Sequence, residues 1–67
     1  MFTVYVDFAS HDDLKDGNVR AGTHEVELLA DNRMDAALVA KHMVAAVTGL
    51  VVTKSDTYSA LDLLFPV

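Results

Sequence analysis

Residues 32–49 read NRMDAALVAKHMVAAVTG, and this stretch decides the fold. Ala36, Ala37, Ala40, Ala45 and Ala46 supply the best intrinsic helix former at five positions. Asp31 or Asn32 can cap the N-terminus, and Asp35 stands three residues after Asn32, as in a capping box with Asp in place of Glu. Asp31 and Asp35 also sit where the positive end of the helix dipole favours carboxylates. Gly49 provides the stop. Ala36, Val39, Ala40, Met43 and Val47 recur at helical spacing, so the pattern predicts that this stripe faces the core. Met34, Leu38 and Ala45, with Lys41 and His42, lie on the back, and Val44 falls at its edge. A lone helix should be mostly polar there, so this back is a candidate interface. The plainer reading is that the C-terminal LDLLFPV folds over it, or that scattered exposed apolar groups carry no meaning.

Upstream, Phe2, Val4, Val6 and Phe8 alternate with Thr3, Tyr5 and Asp7. A period of two in β-branched and aromatic residues predicts a strand with Phe2, Val4, Val6 and Phe8 turned to the core. The polar SHDDLKDGN stretch reads as a turn. A second strand follows over Thr23–Ala30, with His24, Val26 and Leu28 on one face and Glu25, Glu27 and Leu29 on the other. The two strands are expected to pair as an antiparallel hairpin. Downstream, Leu50–Thr53 reads as a third strand. Beyond it the pattern leaves three options: the strand runs on through Tyr58, a new strand starts near Thr57, or a short helix is capped by Ser55 or Asp56. The expected architecture is one α+β domain over residues 1–67, of ββαβ type, with a small antiparallel sheet and one helix packed on one face. Tyr5, Asp7, Glu25, Glu27 and Leu29 then share the uncovered side of the sheet.

Composition narrows the chemistry. At 67 residues, the chain buries only about 60% of its unfolded surface, so its stability margin is small. It has no cysteine, which excludes disulfides, zinc–thiolate sites and thiol nucleophiles. Its hydrophobic fraction of 52% is high for so small a chain and favours a homo-oligomer. Ten acids against five bases give a net charge of −5, and the bases Lys15, Arg20, Arg33, Lys41 and Lys54 form no block. Nucleic acid, whose phosphates demand a basic patch, is therefore not an expected partner. The N-terminal MFTVYVDFAS carries no positively charged leading segment, and Ala36–Val47 is too short to span a bilayer. No membrane partner is expected, and the cytoplasm is the expected compartment.

HDDLKDGN, residues 11–18, is the densest cluster of potential ligands. Read from Asp12 as an EF-hand loop, it has Leu14 where an oxygen ligand is required and Thr23 where the bidentate Glu belongs. A metal site combining His11, Asp12, Asp13 and His24 needs the hairpin to bring them together, since no metal-ligand spacing is present. His24 reads more simply as a half-exposed strand residue, and His42 as a solvated or interface residue. Glu25 and Glu27 share a strand face, but a charged pair on such a face is usually a polar surface. The three glycines form no phosphate loop. No catalytic residue and no cofactor is expected. The leading expectation is a non-enzymatic protein-interaction module, homodimeric, using Met34, Leu38, Lys41, His42, Ala45, Tyr5, Leu29, Leu63 and Phe65. The alternatives are a small metal- or ligand-binding protein built on residues 11–18, and an acidic mimic of DNA.

The order VYVDFASHDD, NVRAGTHEVEL and AALVAKHMVA, over the first three quarters of the chain, resembles small acidic accessory proteins encoded by bacteriophages of actinobacteria. The resemblance implies a host cytoplasm and a host protein as partner. It assigns no functional residue.

Overall fold

The computed structural model describes residues 1–64 of the chain. Strand β1 spans Phe2–Ala9, helix α1 His11–Lys15, β2 Gly22–Leu28, helix α2 Arg33–Thr48, β3 Val51–Ser59 and helix α3 Ala60–Leu64. The three strands form one sheet in the order β2-β1-β3, with β1 antiparallel to both neighbours. β2 and β3 therefore run parallel on either side of β1, and α2 crosses over β1 to connect them, a split β-α-β arrangement. The α+β class and the expected hairpin are both present.

The alternation in β1 works as read. Val4 and Val6 are fully buried, and Phe2 and Phe8 pack against them. The ladder pairs Val4 with Val26, Val6 with His24 and Phe8 with Gly22, so the inner row of β2 follows the same face. A Cβ on Gly22 would come within 2.6 Å of the Phe8 ring, so the aromatic group lies over the bare glycine backbone.

Two residues of the expected stripe, Ala36 and Ala40, face the sheet, but the other three lie to the side and the helix is rolled toward Val44. Ala36, Ala40 and Val44 are buried, whereas Val39, Met43 and Val47 are 45%, 48% and 81% exposed. Val44, expected at the edge of the back, belongs to the core. Alanine at two successive contact turns lets the helix backbone approach Val4 and Val6 closely. α2 lies mainly over β3 and β1 and approaches β2 less. Val26 and Leu28 are accordingly half-buried, while His24 is exposed.

Both ends of α2 are closed as their residues require. The Asn32 carboxamide accepts the Asp35 backbone N–H at 2.9 Å and donates to the Asp35 carboxylate at 3.2 Å. Gly49 adopts φ +68°, the left-handed C-cap that a side chain would strain. The polar connection 10–21, expected as a turn, holds a short helix. Ser10 accepts the Asp13 N–H, and the Asp13 carboxylate accepts the Ser10 N–H, a reciprocal capping box. Beyond Leu50 the chain combines two of the three options. β3 continues past Tyr58 to Ser59, with a bulge opposite Asp7/Phe8, and then turns into α3. The cap of α3 is Ser59, not Ser55 or Asp56: its hydroxyl accepts the Asp62 N–H, and its own N–H reaches the Asp62 carboxylate.

One sheet and one helix make a thin body. The Cα atoms extend 38 × 25 × 15 Å with a radius of gyration of 12.7 Å. A compact chain of this length is expected near about 11 Å. A slab has more surface than a sphere of equal volume, so apolar residues remain outside.

Candidate interaction surfaces

Residues 11–18, with His24, carry the candidate metal ligands. Asp13 is committed to Ser10, whose hydroxyl donates to it at 2.8 Å. That hydroxyl first, and then the Ser10 N–H, hold the Asp13 carboxyl below its ordinary 3.8. His11 and Asp12 lie exposed on α1, while His24 sits on β2 with its ring stacked on Phe8, centroids 5.2 Å apart and planes at 29°. Among the described residues no three His, Asp or Glu side chains come together to hold a metal ion. The sequence cluster is dense along the chain but not convergent in space.

The second surface is the uncovered side of the sheet. The register places Thr3 between Glu27 and Tyr58, Tyr5 between Glu25 and Asp56, and Asp7 between Thr23 and Lys54. The Tyr5 and Tyr58 rings meet edge to face, with centroids 5.9 Å apart and planes at 72°. Thr3, enclosed by its cross-strand neighbours, is only 5% exposed. Thr23 donates to the Asp7 carboxylate at 2.7 Å, and Lys54 lies 3.9 Å from Asp56. Four carboxylates (Asp7, Glu25, Glu27 and Asp56) thus stand around an aromatic pair with one lysine among them. Tyr58 and Asp56 were not foreseen here, because their place depends on how far β3 extends.

The third surface is the outer layer of α2. Met34 is 82% exposed and Leu38 56%; Lys41 and His42 are exposed, and Ala45 is half-buried. A groove along this side is lined by Leu38, Lys41, His42, Ala45 and Val52. The opposite flank carries Met43 and Val47 beside His24 and Val26 of β2, with Val44 at the groove floor. Sequence reasoning missed this second flank by assigning Met43 and Val47 to the core.

Of the nine expected interface residues, the seven with described side chains lie on the helix layer, the sheet's far side and the end of β2. Met34, Leu38, Lys41, His42 and Ala45 share the helix layer. Tyr5 lies on the far side of the sheet, and Leu29 is exposed just past the end of β2. Leu63 falls in α3 with its side chain outside the described set, and Phe65 lies outside the described residues.

Arg33 ties these layers together. It donates to the Thr57 carbonyl of edge strand β3 at 2.9 Å and pairs with Asp62 of α3. The Ser59 N–H, then Arg33 and the Ser59 hydroxyl, hold the Asp62 carboxyl below its ordinary 3.8.

No family model, curated protein or solved structure matches the chain. Among the described residues, no helix is long and apolar enough to cross a membrane.

Proposed function

We propose that this chain is a non-enzymatic protein-interaction module that acts as a homodimer. One observation carries the reading. Of its sixteen residues, α2 buries only Ala36, Ala40 and Val44, while Met34, Leu38, Val39, Met43 and Val47 stay 45% or more exposed. So much exposed apolar surface on the two sides of one helix favours a place where another molecule sits. The charge distribution supports two roles for the two layers. The helix layer serves self-association, and the acidic outer face of the sheet serves a basic partner surface, for which its carboxylates provide attraction at low salt. The resemblance to bacteriophage accessory proteins supports a host protein in that second role.

Size-exclusion chromatography with light scattering tests the first role. The expected mass is twice the 7.3 kDa of one chain, and a monomer at every concentration overturns it. For the second role, binding of a basic partner should weaken steeply as salt rises. Salt-independent binding contradicts it.

A further inference from the structure

Resting on the interaction-module reading, we propose that the partner on the helix layer is a second copy of this chain, packed antiparallel along the seam Met34–Leu38–Lys41–Ala45. These four residues follow one another at spacings of four, three and four, the rhythm of a coiled-coil seam. The seam is exposed apart from Ala45, and it is set well round the helix from the buried Ala36–Ala40–Val44 row. Leu38 and Lys41 form a ridge with a groove on each side. One groove is lined by Met34, Asp35 and Ala37, the other by His42, Ala45 and Val52. A ridge flanked by grooves complements its own copy, because each ridge can enter a groove of the other.

The antiparallel register follows from size and charge. It sets Met34 of one copy opposite Ala45 of the other, large against small, and Leu38 opposite the aliphatic stem of Lys41. Lys41 laid across Leu38 of the second copy extends toward that copy's Asp35, three residues away along the helix. Among the described residues the Asp35 carboxylate has one side-chain partner, the Asn32 amide, so it has further acceptor capacity. A lysine within an apolar seam also favours this register, since it brings the charge near Asp35.

The net charge of −5 does not oppose this contact, because it lies elsewhere. Helix α2 carries Arg33 and Lys41 against Asp35, two bases and one acid; the rest of the chain carries three bases and nine acids. The interface is modest. About 24 Å of helix supplies less than the roughly 800 Å² per partner of a standard interface, so the dimer should dissociate measurably on dilution.

Sedimentation of the wild type, Leu38→Glu and Met43→Glu tests the surface. Both side chains are about half exposed, so both variants should stay folded. Leu38→Glu is expected to weaken the dimer by about tenfold or more, and Met43→Glu, on the opposite flank, to leave it intact. The reverse pattern overturns the seam while leaving the interaction reading standing. A wild type that is monomeric throughout overturns both. The absence of native cysteine allows an independent check with a short bis-maleimide: His42→Cys, beside the seam, should cross-link to its own copy, and Val47→Cys should not. Efficient cross-linking only at Val47→Cys also overturns the seam.

Discussion

Val39 and Ala40 are adjacent in α2, yet Ala40 is fully buried and Val39 is 45% exposed. The smaller side chain takes the contact with the sheet and the larger one is left at the flank. This decides which side of a largely apolar helix stays exposed.

The first prediction follows directly. Val44→Ala should cost about 2 kcal/mol by removing buried methyl groups next to the Val4–Val6 floor. Val47→Ala, at an 81% exposed position, should stay within about 0.5 kcal/mol. Urea unfolding of both variants checks the order, and equal losses would mean that the helix is turned otherwise.

Gly22 and Phe8 give a second prediction. Because a Cβ would meet the ring at 2.6 Å, Gly22→Ala must displace Phe8 from its stack on His24. The ring is the movable end of a side chain, so a loss of about 1–2 kcal/mol is expected, short of unfolding. An unchanged melting temperature would show that Phe8 does not lie there.

Much of the fold was legible. In β1 the residue order itself alternates, and only a strand uses that period. Asn32 and Gly49 marked both ends of α2. The face of α2 was not legible, because Val39, Met43 and Val47 are as apolar as Ala36 and Ala40, and hydropathy alone cannot rank them. The short α1 had its Ser10–Asp13 capping pair in plain view within a run of turn-forming residues. β3 hid its length because Ser55, Thr57 and Ser59 pair with Val6, Val4 and Phe2, which puts polar side chains on the inner face. The Tyr5–Tyr58 pair depends on that same register and could not be seen without it.

Acid should destabilise the fold in a defined way. Asp13 and Asp62 are both held below their ordinary 3.8, so near that pH the folded chain binds fewer protons than the unfolded one. Their stabilisation is complete above the unfolded value and disappears as the pH falls through the lower folded values, below about 4. Melting temperature followed into acid should drop less steeply for Asp13→Asn/Asp62→Asn than for the wild type. Parallel curves would deny these two carboxylates a share.

Arg33 should act partly through Asp62, beside its bond to the Thr57 carbonyl. The pair is well exposed, with side chains 53% and 37% accessible, so Arg33→Ala is expected to cost no more than about 1 kcal/mol. A double-mutant cycle with Asp62→Asn should show coupling between the two. Strict additivity would mean that the contact contributes nothing to holding α3 against the N-terminus of α2.

The central claim is that the outer layer of α2 is a surface for another protein, occupied first by a second copy of the chain. Sedimentation velocity over a wide concentration series tests it most directly. The account predicts a reversible shift from the mass of one 7.3 kDa chain to twice that mass as concentration rises. A single species at the mass of one chain over the whole series would contradict it.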